Sequence, residues 1–435
     1  MDQKNKFFSF CIVMSTFFHQ YGSFLPGVTL GELMLILTLA FVLLFDGFDL
    51  NIEKTKMLIQ FYGLCLLLTL LSFLLQQHDF IAVSTFKVFS RWVRYFAYVV
   101  FIVISADKLN ANYALKVYRY FCIFISFYII LQTLGYYAFN FALPIKILPL
   151  PFSRESDMYE LFSGFDKYYY RAYGPFAEPG YAAKFLLPGL ALSLYDSLNG
   201  HKNIALVMLI SAGIIFTTSV QGLLLCVFSY IYFGFSLLLN KKFPISFKPV
   251  KIFFIGLSVL ILTCVFYSLG IFDTPIERIS SIYTVSQGGT LARGSTGIRV
   301  YRGFALFAVL PILYKIIGVG LGNLGNFVIE NNIYTNFDYF FTSLNQFEYV
   351  NAISGLLLSS GIIGGIYFVS LLTSLVKHIT NQYKLIFFQM VILFFGDDSI
   401  FSMHAVLYFS LIYIGYVNTN NYTYLRYENE IVKQR

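Results

Sequence analysis

The chain has 435 residues, of which 58% are hydrophobic and only 12% charged, with a mean hydropathy of +0.70. A soluble domain carries about 25% charged residues, so this composition excludes an ordinary soluble protein and points to an all-α, polytopic integral membrane protein. The net charge is +8, but the basic residues stand in short clusters between apolar runs, which marks topology rather than a nucleic-acid-binding face, and no nucleic-acid partner is expected.

In chain order, apolar runs of about 20 residues, the length that crosses a bilayer core, fall near 7–22, 28–46, 57–76, 88–105, 117–139, 180–196, 203–218, 221–239, 251–270, 351–376, 385–400 and 403–418. That makes about twelve transmembrane helices. The N-terminal "MDQKNKFFSFCIVMSTFFH" has a basic start but no small-x-small cleavage site, and reads as an uncleaved first helix. With the N-terminus in the cytoplasm, the short connections on that side carry Lys4 and Lys6, Lys54 and Lys56, Lys108, Lys116 and Arg119, Lys202, the lysines of 241–251, and Lys377 with Lys384. The C-terminus, with Arg426, Lys433 and Arg435, falls on the same side. Parity and the positive-inside rule therefore agree along the chain. The five cysteines each sit inside an apolar run without metal-ligand spacing and read as packing residues.

This divides the chain into first transmembrane helices over 1–139, a first large outer loop over 140–180 and central helices over 181–270. A second large outer loop with amphipathic helices follows over 271–350, then the final helices and a cytoplasmic tail over 351–435. Long loops translocate largely regardless of charge, so their basic residues need another explanation. The first loop holds Lys146, Arg154, Lys167 and Arg171; the second holds Arg278, Arg293, Arg299, Arg302 and Lys315. In the second, "RVYRGFALFAVLPILYKIIGVGLGN" has an apolar run too short to span, broken by Pro311, and is expected to lie in or near the outer interface. The "GVGLGNLGN" that follows has no strand before it and opens no clear helix, so a flexible loop is favoured over a phosphate cradle.

No Walker loop, dinucleotide fingerprint or HExxH motif is present, and the five histidines show no metal-ligand spacing, so no metal is expected. The arginines are the sharpest chemical feature. Arg299 and Arg302, three apart, would share a helix face, and Arg171 stands just ahead of an apolar segment in the other loop. Arginine binds phosphate through a bidentate fork and stays charged, so two outer loops delivering arginine to the membrane surface suit a lipid-linked pyrophosphate. Snorkelling to headgroups explains the spacing equally well. Glu178, between Ala177 and Pro179, is either a general base or a partner of Arg171, with pairing favoured. Tyr170 and Tyr173, in "KYYYRAY", can stack on sugar rings or anchor at the interface. Asp397 and Asp398, in "FFGDDSIFSMH", read as a solvated span end.

With these residues in view, the layout resembles the bacterial O-antigen polymerase and O-antigen ligase superfamily of membrane glycosyltransferases. The likeness is carried in the first loop by Arg171, Gly174, Phe176, Glu178 and Pro179. In the second it is carried by Arg299, then "IIGVGLGNLGNF", then "EYVNAISGLLLSSGIIGG", with fifteen residues between Arg302 and Gly318. It covers nearly the whole chain by topology and two short stretches by sequence. The ligase branch has a histidine before the asparagine that enters this span; here Val350 precedes Asn351, which favours the polymerase branch and leaves the general base unassigned.

The resemblance implies a GT-C-like enzyme of the bacterial inner membrane, with both termini cytoplasmic and the active site facing the periplasm. Donor and acceptor would be oligosaccharides on undecaprenyl diphosphate within the membrane lipid, with a chain-length regulator as partner. No metal, nucleotide sugar or other cofactor would be needed. Arg171, Glu178 and Arg299 would be catalytic, and Arg293, Arg302, Tyr170, Tyr173 and Asn351 would bind substrate. Two alternatives stand beside it: a ligase delivering glycan to lipid A core, and a flippase or other transporter, for which interrupted helices and polar groups near the midplane are expected.

Overall fold

A computed structural model describes residues 2–25, 27–46, 50–76, 85–139, 141, 143, 150–151, 171–198, 204–239, 298–335, 337, 347–396 and 399–416. Among these the only extended pairing is two isolated bridges, Gly22 with Thr29 and Ile379 with Tyr416; the regular elements are helices. They are α1 (Asp2–Phe18), α2 (Leu30–Asp46), α3 (Lys56–Leu75), α4 (Thr85–Lys108), α5 (Ala111–Phe139), α6 (Pro179–Leu198), α7 (Ile204–Phe216) and α8 (Val220–Leu239). A π-helical turn, Ile298–Arg302, then leads into α9 (Gly303–Val309), α10 (Ile312–Ile317), α11 (Leu324–Glu330), α12 (Ala352–His378), α13 (Asn381–Leu393) and α14 (Met403–Ile414).

Among the described residues, five stretches are long and apolar enough to cross a membrane: Glu53–Leu75, Lys87–Lys108, Ala111–Phe139, Val220–Leu237 and Ala352–His378. Leu30–Phe45, Ile204–Phe216 and Met403–Ile414 are apolar but shorter. Helices thus lie over the apolar runs expected from 7–22 to 221–239 and from 351–376 to 403–418; the run near 251–270 lies outside the described residues. The chain is an all-α membrane protein.

The described residues fall into two compact units. The first draws on Met1–Thr16, Glu32–Leu115 and Ala292–Arg435, the second on Phe17–Gly31 and Lys116–Leu291.

In the first unit, α12 is packed by α3, α9 and α10. It is interrupted at Gly361, where φ is 65° and ψ is −168°. A break in a helix releases carbonyls that must find other donors in an apolar setting. Here Leu358 O accepts from Val319 N at 2.8 Å and Ser359 O from Gly320 N at 3.0 Å. The two backbones approach so closely that a Cβ on Gly318 would collide with the backbone of Ser359, and one on Gly361 with the Ile316 carbonyl. Gly318 also has φ of 84°, so glycine is required there on both grounds.

The rest of the glycine-rich stretch is held from α3 and α4. Leu321 N donates to Thr69 Oγ1 at 2.8 Å, Gln76 Nε2 to Val319 O at 3.1 Å and Trp92 Nε1 to Leu321 O at 2.7 Å. Arg91 Nη1 donates to Gly322 O at 2.9 Å. A stretch expected to be a flexible loop is therefore a buried, hydrogen-bonded plug. The segment expected along the interface is also packed on helices: Pro311 separates α9 from α10, and α10 lies against α12 and α3.

In the second unit α6, α7 and α8 pack on one another. α6 contains Pro188, which has no amide to donate and cannot continue the ladder. One residue later the ladder is opened again: Gly189 N donates to Tyr118 Oη at 3.1 Å, and that hydroxyl donates to Phe185 O. A tyrosine hydroxyl from α5 thus stands between an amide and the carbonyl it would otherwise reach, a recognised cause of helix bending. Arg119 of α5 and Asp196 of α6 form an ion pair nearer the other end of α6.

Gly318→Ala should lower stability by more than about 3 kcal/mol, since it adds both strain and a backbone clash. Gly63→Ala, in α3 with open space where its Cβ would stand, should leave stability unchanged or raise it by about 0.5–1 kcal/mol. Thermal unfolding of the two variants in detergent checks the contrast.

Candidate functional site

Segment 171–178 has no regular structure because its sequence forbids a helix. Gly174 has φ of 60°, and Pro175 and Pro179 remove two amides. A Cβ on Gly174 would stand 3.0 Å from Ile129 Cγ1, so α5 closes down on the turn. Its polar backbone is satisfied by two buried glutamines. Gln132 of α5 accepts from Tyr173 N at 3.2 Å and Gly174 N at 2.8 Å, and donates to Gly174 O at 3.2 Å. Gln20, just beyond α1, donates to Pro175 O at 2.7 Å and accepts from Ala177 N at 2.5 Å. Residues 172–176 are buried, and the segment's two charged residues, Arg171 and Glu178, are half-buried at its ends.

Arg171 reaches the turn between α7 and α8. Its Nε donates to Thr218 Oγ1 at 3.0 Å and its Nη2 to Thr218 O at 3.2 Å. Thr218 has φ of 49°, unusual for a residue with a branched side chain, and the arginine braces it. Ser219, whose hydroxyl accepts from Gly222 N at 3.3 Å, opens α8. Gly180, in the first turn of α6, is placed so that a Cβ would lie 3.9 Å from Ser219 Oγ. The N-terminal ends of α6 and α8 therefore adjoin beside the turn that Arg171 holds, and both ends carry partial positive charge.

Glu178 is the residue from which α6 starts: its carbonyl accepts from Tyr181 N at 3.1 Å and Ala182 N at 3.4 Å, with Pro179 at the first helical position. The sequence favours its pairing with Arg171. Among the described residues no ion pair joins the two, and the Glu178 carboxylate has no hydrogen-bond partner there. Lys184 is 4% exposed in the second turn of α6, with its ammonium 5.3 Å from the centre of the Tyr181 ring. Chemically, Arg171, Lys184 and two helix N-termini favour an anion, while Glu178 could accept a proton from a hydroxyl brought there.

The remaining predicted residues are placed differently. Tyr173 is 1% exposed and packed into the core of the second unit, so it presents no open face for a sugar. Arg302 belongs to the first unit and is fully buried. It donates to Tyr349 O through Nη1 and to Phe347 O through Nη2, both at 2.9 Å, gripping the main chain on either side of Glu348. Asn351 is the N-cap of α12: its Oδ1 accepts from Ser354 N at 2.8 Å, and its Nδ2 donates to Val300 O at 3.2 Å. Both residues thus fix the π-helical turn against the start of α12. Arg299 lies in that turn, but its side chain, like Tyr170, Arg293, Asp397 and Asp398, lies outside the described residues.

Sequence reasoning passed over the charges of α4. Arg91 pairs with Glu348, and Arg94 Nε lies 2.8 Å from Glu32 Oε1, which also accepts from Tyr98 Oη at 2.6 Å. Burial pushes the Glu348 carboxyl above its usual range, and Arg91 draws it back. The signal was present: arginine inside an apolar run of spanning length calls for a partner. Among the described residues no group of three or more His, Cys, Asp or Glu side chains is placed to hold a metal.

Comparison with known proteins found no matching family model, no matching curated protein and no matching solved structure.

The two arginines should respond oppositely to truncation. Arg302→Ala leaves two buried carbonyls without donors and a cavity, and should cost about 3–5 kcal/mol. It should therefore abolish the monodisperse peak in detergent size-exclusion chromatography. Arg171→Ala, at a half-buried position, should retain that peak.

Proposed function

We propose that the protein is a polysaccharide-repeat polymerase: a membrane glycosyltransferase that transfers a growing glycan from a polyprenyl diphosphate to the terminal sugar of a second lipid-linked unit. The observation that carries this reading is the positive charge gathered at the start of α6 and α8 in the second unit. Arg171 is braced on Thr218 where the N-termini of α6 and α8 adjoin, with Lys184 buried in the second turn of α6. Such an arrangement suits a diphosphate, whose charge grows as it leaves. The motif residues Arg171, Gly174, Phe176, Glu178 and Pro179 support the same reading, since they are the ones that build this segment.

In the proposed reaction an acceptor hydroxyl attacks the anomeric carbon of the donor sugar. The bond from that carbon to the diphosphate oxygen breaks, and polyprenyl diphosphate departs with the electron pair. Arg171 and Lys184 stabilise the departing charge. Glu178 takes the hydroxyl proton. Arg302 and Asn351 are not ligands on this reading, because their side chains hold main chain of the first unit. The topology that accompanies this reading would put Arg171 on the periplasmic side of the inner membrane, with both termini in the cytoplasm.

One observation favours a second reading. α12 is interrupted at Gly361, and interrupted helices are a mark of transporters. Against it, the carbonyls released there are occupied by the amides of Val319 and Gly320 rather than presented to a ligand.

Proteoliposomes holding the purified chain and one lipid-linked repeat unit distinguish the two. The polymerase reading expects products of two or more joined units and release of polyprenyl diphosphate, with both lost in Arg171→Ala at equal protein level. Movement of the lipid between leaflets without a new glycosidic bond would establish the transporter instead.

A further inference from the structure

Segment 171–178 is held from both sides by side-chain amides, and this arrangement has no counterpart in the sequence motifs. Gln132 lies within the spanning stretch Ala111–Phe139 and is fully buried. A primary amide in that setting is costly unless both its ends are hydrogen-bonded. Its oxygen accepts from two consecutive amides, Tyr173 N and Gly174 N, while its nitrogen donates to Gly174 O. Gln20 is 6% exposed and acts on the next stretch, with its nitrogen on Pro175 O and its oxygen on Ala177 N. Tyr21 Oη adds a bond to Pro175 O at 3.3 Å.

Each glutamine therefore satisfies a donor and an acceptor of an irregular main chain, as a neighbouring strand would. These bonds all fall on the six residues between Arg171 and Glu178, the main chain that joins the two charged groups. Apolar packing adds little directional control over a turn with φ of 60° at Gly174, whereas paired amide bonds fix its orientation.

We propose that Gln20 and Gln132 are positioning residues that hold segment 171–178 in the shape that brings Arg171 to Thr218 and sets Glu178 at the start of α6, so that the segment binds the diphosphate of a lipid-linked substrate. The ligand in this proposal rests on the polymerase reading; the clamp itself does not. Gln132→Leu removes all three bonds from α5, and Gln132→Glu keeps the two accepted bonds while losing the donated one. Gln20→Leu removes the other half of the clamp.

The test uses the full chain in detergent with two readouts. Amide hydrogen exchange over 171–178 reports the clamp directly, and inorganic pyrophosphate binding, followed by calorimetry, reports the site. Gln132→Leu should speed exchange at Tyr173 and Gly174 and weaken pyrophosphate binding about tenfold or more, the equivalent of one lost hydrogen bond to a charged group. Gln132→Glu should fall between it and the wild type, and Gln20→Leu should speed exchange at Ala177. A folded Gln132→Leu protein with unchanged exchange, or with faster exchange and unchanged affinity, would overturn the proposal, because a merely structural glutamine would alter exchange and thermal stability without altering binding. If Gln132→Leu does not fold, Gln132→Glu and Gln20→Leu decide by the same two readouts. Should the wild type bind no pyrophosphate while exchange still responds to both glutamines, the diphosphate reading fails and the clamp stands.

Discussion

A main chain that leaves the helix among apolar side chains must still give every amide and carbonyl a partner, and much of this structure follows from that constraint. Two irregular stretches test it. In one, the glycine-rich residues 318–322 meet the break in α12, and each side supplies what the other lacks: amides of Val319 and Gly320 for carbonyls of Leu358 and Ser359. In the other, segment 171–178 takes its partners from Gln20 and Gln132. In both cases irregular backbone finds its partners in groups that other segments bring to it.

The same constraint separates the arginines by role. A guanidinium has several donors in a rigid fork and remains charged, so it can close off main chain or receive an anion. Arg302 does the first: it is fully buried, and its two terminal nitrogens grip carbonyls on either side of Glu348. Arg91 divides its attention between Gly322 O and Glu348. Arg171 is only half-buried and braces a strained threonine where two helix N-termini adjoin. Burial and the identity of the acceptor, rather than residue type, distinguish a structural arginine from a candidate ligand.

Several functional expectations were legible because they depend on local covalent character. Gly174, Pro175 and Pro179 announce a segment that cannot be helical, and Pro179 announces the start of α6. Glu178 and Arg171 were marked by being charged beside an apolar run. That Arg171 would turn to Thr218 was not legible. The sequence favours a Glu178–Arg171 pair, but the backbone between them is irregular, and a seven-residue offset along it carries no information about distance. Asn351 looked like a ligand by its place in a motif; its position at a helix start made it equally suited to capping, and its side chain caps.

The sequence alone determined that the chain is an all-α membrane protein and roughly where its helices run, because apolar length and backbone propensity are local properties read residue by residue. It also determined where the backbone must turn, through glycine and proline. Only the tertiary structure decided that α12 breaks at Gly361, that the glycine-rich stretch plugs the break, and that Gln20 and Gln132 hold the arginine-bearing segment. These contacts join residues from about 40 to more than 150 positions apart, and a hydrogen bond depends on separation and direction in space, which a linear order of residues does not encode.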